Sequence, residues 1–150
     1  MILDLLTFDT VQVVNGKNLS WEEAIQLAAA PLVKNNTVEK SYVSEMIKVV
    51  KDEGPYINIG PQIALAHSRP DGKVHRVGLS LLKTNYDVEL VNPDHPIKLW
   101  FVLAAIDSDS HLSLIKELMT ILTNSQTVQM LMEKQNAQEI IDEIFKAVSK

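Results

Sequence analysis

Residues 99–106, with the sequence LWFVLAAI, form the longest apolar run in this chain. A strand with one face in solvent alternates apolar and polar residues, whereas this run contains no polar residue. An uninterrupted run of this kind is typical of a strand that helices cover on both faces. It is much shorter than the roughly 20 residues of a membrane-spanning helix, so we predict a central strand and no direct membrane insertion.

Shorter β-rich runs lie elsewhere in the chain. Gly60-Pro61 and Asp71-Gly72 separate three of them, and Asn15-Gly16 closes another, which we predict to be an edge strand. In chain order these predicted strands are Val11–Val14, Ile57–Ile59, Ile63–Ala66 and Val77–Leu82. Together with the central strand they predict one mixed β-sheet.

Helical patterns flank these strands. Ser20 and Glu23 form a capping box that predicts the start of a first helix, and Gly54-Pro55 ends the pattern of a second. Three amphipathic patterns follow the central strand, over Leu112–Leu122, Val128–Met132 and Ile141–Val148. These elements predict the α/β class, as a three-layer α/β/α sandwich around one mixed sheet with a helical C-terminal third. We expect a single domain over residues 1–150.

Composition excludes several functions. The 150 residues carry a net charge of −5 and their lysines are dispersed, which argues against nucleic-acid binding. No cysteine is present, so a disulfide or a thiol nucleophile is excluded. The chain lacks a Gly-rich phosphate loop, a GxSxG elbow and HExxH spacing, and we expect no cofactor and no metal. The apolar first residues, with no basic residue before Lys17, indicate a cytoplasmic protein whose N-terminal segment packs on the core.

His67 is the first candidate catalytic residue. It follows the apolar run Ile63–Ala66, so we expect it where a strand ends in a loop, on a rigid base. Ser68 and Arg69 follow it directly. A neutral imidazole has a nitrogen lone pair near physiological pH, and it can act as a nucleophile that carries a phosphoryl group.

His111 is the second candidate. It comes just after the predicted N-cap residues Ser108, Asp109 or Ser110, so we expect its ring near the positive end of a helix. A phosphoryl group between the two histidines would accept hydrogen bonds from this imidazole and from the free amides of the helix start. The sequence leaves open whether the negative Asp107 and Asp109 cap the helix or point away.

The remaining two histidines are weaker candidates. His75 lies in an alternating stretch that predicts a strand, and His95 lies between Pro93 and Pro96 in a predicted extended turn. We expect both side chains to be exposed to solvent.

Four stretches of the chain carry a family resemblance: IALAHSRP (63–70), GLSLLK (78–83), LWFVLAAID (99–107) and HLSLIKELMTIL (111–122). They resemble the enzyme IIA component of the bacterial sugar phosphotransferase system, mannitol/fructose type. The stretch at residues 50–70, VKDEGPYINIGPQIALAHSRP, favours its ascorbate-specific, pentitol-like branch. The resemblance covers nearly the whole chain.

The resemblance implies a metal-free phosphotransferase that moves a phosphoryl group between proteins. His67 would accept the group from the phosphohistidine of the carrier protein HPr and pass it to a cysteine of enzyme IIB. The membrane component, enzyme IIC, would take part indirectly. His111 would contact the phosphate, and we expect Ser68, Arg69 and Ser110 to support the phosphate site.

Two positions depart from the family pattern. The family usually has proline before its phosphorylated histidine, and this chain has Ala66 there. Mannitol members carry a supporting arginine in the second helix, whereas the matching residues Met46–Lys51 contain none. We expect Arg69 to take over that role.

Other functions stay open from the sequence. A protein of this fold can instead be a regulatory interaction protein whose phosphorylation state controls a transcription regulator or a transporter. A third hypothesis is a ligand-binding domain without phosphorylation. The sequence also leaves open which sugar is transported and whether the chain forms a homodimer.

Overall fold

Helices and strands are intermixed along residues 2–149, the part of the chain that the computed structural model describes. None of the helices in this range combines the length and the apolar character that crossing a membrane requires. In chain order the elements are α1 (Ile2–Leu5), β1 (Val11–Val14), α2 (Trp21–Lys34), α3 (Lys40–Glu53), β2 (Asn58–Gly60), β3 (Gln62–Ala66), β4 (Gly78–Glu89), β5 (Pro96–Ala104), α4 (Ser108–Leu122), α5 (Ser125–Glu133) and α6 (Ala137–Val148).

The five strands of this range form one mixed sheet in the order β1-β4-β5-β3-β2. β1 pairs with β4 and β3 with β5 in parallel, whereas the β4–β5 and β2–β3 pairs are antiparallel. The predicted central strand is confirmed as β5, and the predicted edge strand as β1. β5 ends at Ala104 rather than at Ile106, because the chain turns there towards the start of α4.

β5 has no polar alternation because helices cover both of its faces. Its residues Trp100 and Val102 pack against α2 and α3, in a core that includes Ala28 and Met46. The alternate residues Leu99, Phe101 and Leu103 pack on the opposite face, with Leu114, Leu118, Leu131, Ile140 and Ile144 of α4, α5 and α6. The predicted three-layer sandwich and the helical C-terminal third are therefore confirmed.

The N-terminal segment belongs to the second of these cores. Ile2 and Leu6 are both buried there, which confirms the prediction that this segment packs on the core. The capping box of Ser20 and Glu23 is also confirmed, and α2 begins at the next residue after Ser20. α3 ends before Gly54, whose φ of 91° favours glycine.

β3 and β5 together determine where the candidate site lies. They are parallel neighbours with Ala66 opposite Val102, so their carboxyl ends meet at the same edge of the sheet. His67 follows β3 directly, and the segment after β5 leads into the helix that contains His111. The fold therefore brings two segments that are distant in sequence to one edge.

Candidate functional site

The His67 ring has a defined orientation at the end of β3. Its Nδ1 lies 3.0 Å from the backbone oxygen of Leu65. A carbonyl oxygen can only accept a hydrogen bond, so Nδ1 is the protonated nitrogen and donates to Leu65. In the neutral ring the lone pair then belongs to Nε2, which makes Nε2 the nucleophilic nitrogen.

Two aromatic side chains lie against the half-buried His67 ring. Its centroid is 5.4 Å from that of His111, with 52° between the planes. The Tyr56 ring stands almost perpendicular to His67, with a centroid distance of 5.8 Å and an interplanar angle of 81°. The fold therefore places the two candidate histidines side by side.

The N-cap of α4 is Asp107, so the prediction of Ser108, Asp109 or Ser110 was wrong. The backbone of Asp107 is extended, and its Oδ1 accepts a hydrogen bond of 2.8 Å from the Ser110 amide. In return, the Asp107 amide donates to the Ser110 hydroxyl oxygen at 3.4 Å, which completes a capping box. Hydrogen bonds from the backbone and side chain of Ser110 hold the pKa of Asp107 below its ordinary value.

His111 lies in the first turn of α4, where its amide donates to the Asp107 carbonyl oxygen at 3.1 Å. Burial lowers the pKa of this imidazole, and the charge of the neighbouring His67 lowers that pKa further. A neutral His111 keeps one N–H that can donate to an anion. Its position at the helix start adds the partial positive charge of the helix dipole.

The pKa of His111 should therefore lie below its ordinary 6.5 in the folded protein. The folded state then disfavours protonation, so this group's contribution to stability is full above the unfolded pKa and declines as pH falls below it. His67→Gln should raise the pKa of His111 part of the way back, because burial remains. NMR titration of the ring carbon signals measures both values. A His111 midpoint above 6.5, or one unchanged in His67→Gln, would contradict this account.

Both histidines line an open cavity of about 720 Å³ at the sheet edge. Arg69 is the only arginine or lysine among the described residues that line the cavity, and four carboxylates line it as well. The carboxylates are Glu45, Glu53, Asp71 and Asp107. From α3 only Glu45, Val49 and Glu53 reach the cavity, so that helix supplies no cation.

The predicted supporting residues differ in their positions. Ser68 and Arg69 line the cavity, whereas Ser110 is not among its lining residues and bonds to Asp107. The backbone amide of Ser68 is already used, since it donates to the hydroxyl of Tyr42 at 3.1 Å. Sequence reasoning missed Tyr42 and Tyr56, because both read as ordinary aromatic residues of a core or a turn.

The expectations for the other two histidines need correction. His75 is exposed as expected, but it lies outside any strand, because only the isolated bridge between Val38 and Val74 forms there. Its Nε2 lies 3.4 Å from Glu39 Oε2. His95 is half-buried rather than solvated, because its Nδ1 hydrogen-bonds Asn58 Oδ1 at 2.8 Å. It precedes β5, so it lies at the opposite end of that strand from the cavity.

Comparison with known proteins gives this site a family context. Residues 4–147 match the family described as phosphoenolpyruvate-dependent sugar phosphotransferase system, EIIA 2. The mannitol-specific cryptic phosphotransferase enzyme IIA component of Escherichia coli (strain K12) is 29% identical over 122 residues, which are 81% of this chain and 83% of that relative. A solution structure of the E. coli protein of this description has a TM-score of 0.88 at 27% identity, covering 97% of this chain and 99% of the other.

Two further comparisons extend this result. The ascorbate-specific PTS system EIIA component of E. coli (strain K12) is 28% identical over 125 residues, which are 82% of this chain and 81% of that relative. The complex of mannitol enzyme IIA with phosphorylated enzyme IIB from E. coli contains the same fold, with a TM-score of 0.79, 23% identity and 96% coverage of both chains. The chain belongs to the EIIA 2 family of the phosphoenolpyruvate-dependent sugar phosphotransferase system, whose members are phosphoryl-carrying phosphotransferases.

Proposed function

We propose that residues 1–150 form one enzyme IIA domain that carries a phosphoryl group from HPr to enzyme IIB. His67 is the carrier residue. The observation that supports this most strongly is the bond from His67 Nδ1 to Leu65, which leaves the lone pair on Nε2 in a ring whose centroid lies 5.4 Å from that of His111. A nucleophile with one available nitrogen and a second imidazole within reach is suited to phosphoryl transfer.

The reaction consists of two displacements at phosphorus. In the first, the Nε2 lone pair of His67 forms an N–P bond while the N–P bond to the HPr histidine breaks, and the HPr ring leaves with the electron pair. In the second, a thiolate of enzyme IIB forms an S–P bond, and the electron pair of the breaking N–P bond returns to Nε2. The Leu65 carbonyl accepts the Nδ1–H bond in both states, so it stabilises the positive charge on the phosphorylated ring.

His111 stabilises the phosphoryl oxygens in this mechanism. Its neutral ring donates a hydrogen bond, and the start of α4 contributes its partial positive charge. The accepting thiol must come from another chain, because this chain contains no cysteine. The E. coli complex of mannitol enzyme IIA with phosphorylated enzyme IIB supports enzyme IIB as that partner.

Arg69 is proposed to offset the carboxylates around the cavity. It is exposed at the cavity wall and is the one arginine or lysine among the described lining residues. Arg69→Ala should slow phosphoryl uptake from phospho-HPr about two- to fivefold, as expected for a solvent-screened charge. Rapid-quench measurement of uptake tests this, with Arg76→Ala as a control that removes an exposed arginine outside the cavity. Equal rates for Arg69→Ala and the unmodified protein would refute the proposed role.

We also propose that the protein acts in the cytoplasm and serves the uptake of ascorbate or a related sugar, through enzyme IIB and the membrane enzyme IIC. The ascorbate-specific relative supports this choice, although the mannitol-specific relative is of similar identity. Transfer from the phosphorylated chain to purified enzymes IIB of both types distinguishes them. Exclusive transfer to the mannitol enzyme IIB would contradict the proposed sugar.

Phosphoryl uptake itself tests the proposed function. The chain is incubated with phosphoenolpyruvate, enzyme I and HPr, and its intact mass is measured. We expect one acid-labile phosphoryl group per chain, and none when HPr is omitted. No adduct under conditions that phosphorylate a control enzyme IIA would contradict the proposal.

A further inference from the structure

Tyr42 connects the two segments that carry the histidines. We propose that its hydroxyl group is a positioning element for phosphoryl transfer, which holds the loop after His67 against the end of β5. This inference rests on the proposed function. In this role Tyr42 does not contact the phosphoryl group and takes no part in the chemical step.

The hydroxyl of Tyr42 makes hydrogen bonds in both directions. Its side chain extends from α3 and is fully buried. The O–H donates to the Leu103 carbonyl oxygen at 2.8 Å, and the oxygen accepts from the Ser68 amide at 3.1 Å. The Ser68 carbonyl oxygen lies near the same hydroxyl, at 3.3 Å. One buried group therefore joins three parts of the fold: α3, the loop after β3 and β5.

The two bonded residues are directly connected to the catalytic pair. Ser68 is the neighbour of His67. Leu103 is a β5 residue close to the end of that strand, shortly before the N-cap Asp107 and the helix of His111. The distance between the two imidazole rings therefore depends on how firmly these segments are joined. A displacement of about 1 Å can reduce the rate of a positioned reaction on the order of 100-fold.

The hydroxyl also remains a hydrogen-bond donor throughout the physiological pH range. Burial raises the pKa of Tyr42 to about 12, so its proton is retained. Tyr42→Phe removes both bonds and leaves the Ser68 amide and the Leu103 carbonyl without this partner in a largely apolar site. The loop is then free to move towards other partners or solvent, which carries His67 away from His111.

Tyr42→Phe and Ser80→Ala form a matched pair. Ser80 is also fully buried in the sheet, but its hydroxyl donates to the Ala28 carbonyl oxygen of α2, at 2.7 Å, rather than to either histidine segment. Single-turnover transfer from saturating phospho-HPr should slow about 10- to 100-fold in Tyr42→Phe and stay unchanged in Ser80→Ala, although both lose melting temperature. Affinity for HPr should stay unchanged in both.

An amide-to-ester change at the His67–Ser68 peptide bond keeps the test decisive if Tyr42→Phe does not fold. It deletes the Ser68 N–H and leaves Tyr42 packed, so transfer should slow in the same direction. An unchanged rate in Tyr42→Phe or in the ester protein would overturn the inference, as would an equal loss in Ser80→Ala. Failure of the unmodified protein to accept a phosphoryl group would overturn the proposed function itself. Failure of the inference alone leaves phosphoryl uptake by the unmodified protein intact, so the two results can be distinguished.

Discussion

His67→Gln is expected to abolish phosphoryl uptake from phospho-HPr, with a loss of at least about 1,000-fold. Glutamine has a size similar to histidine, so the substitution leaves little empty space beside the loop. It has no nitrogen lone pair available for attack on phosphorus, because the amide nitrogen is conjugated with its carbonyl group. The folded structure should therefore persist while the nucleophile is lost. Intact-mass analysis after incubation with phosphoenolpyruvate, enzyme I and HPr measures this directly.

His75→Gln is the matched control for this experiment. His75 is exposed and lies outside the cavity, so the same chemical change there should leave phosphoryl uptake at the level of the unmodified protein. A phosphoryl adduct that survives in His67→Gln would show that another residue is the carrier. Loss of the adduct in both variants would indicate a general effect of histidine removal and would equally contradict the assignment.

His111→Ala is expected to slow transfer about 100- to 1,000-fold without preventing it, because the nucleophile is still present. The ring of His111 is 5.4 Å from that of His67, and its loss removes one preorganised donor next to the developing charge. His111→Asn retains a side-chain N–H and should recover part of the rate. Rapid-quench kinetics of uptake, and of transfer onward to enzyme IIB, measure both effects.

Thr120→Ala serves as the control on the same helix. Thr120 is exposed in the last part of α4, where its hydroxyl donates to the Lys116 carbonyl oxygen at 2.9 Å. This variant tests whether a general loosening of α4 affects the reaction. Wild-type kinetics in His111→Ala, or an equal loss in Thr120→Ala, would refute the specific role of the imidazole.

Local sequence signals predicted much of the fold. The apolar run at 99–106 indicated the central strand because both of its faces are covered, and Ser20 with Glu23 marked the start of α2 through a contact within one helical turn. His67 could be placed at a strand end because the β-rich run stops immediately before it. Each of these features depends on residues close in sequence, which is why periodicity and capping patterns reveal them.

Features that depend on distant residues could not be predicted in the same way. β4 continues to Glu89 rather than ending at Leu82, because its polar second half pairs with β5 as far as Pro96. Tyr42 bonds residues that lie 26 and 61 positions away, so no local pattern distinguishes it from a core aromatic. The carboxylates around the cavity come from separate elements and meet only in the folded chain.

The N-cap of α4 was mispredicted for a more local reason. Four consecutive residues, Asp107 to Ser110, all favour N-cap positions, so propensity alone does not choose among them. The extended backbone at Asp107, together with its reciprocal bonds to Ser110, makes that choice in the folded chain. Asp107 therefore caps the helix, and its carboxylate is engaged by Ser110 beside the cavity.

The central claim is that Nε2 of His67 carries the phosphoryl group, while Nδ1 stays protonated and donates to the Leu65 carbonyl oxygen. Nitrogen-15 NMR of the phosphorylated chain, with ring nitrogens labelled in all histidines, tests this claim most directly. We predict phosphorus coupling at Nε2 of His67 and a protonated Nδ1 in the same ring. Phosphorus coupling at Nδ1 of His67, or at any other histidine, would contradict the account.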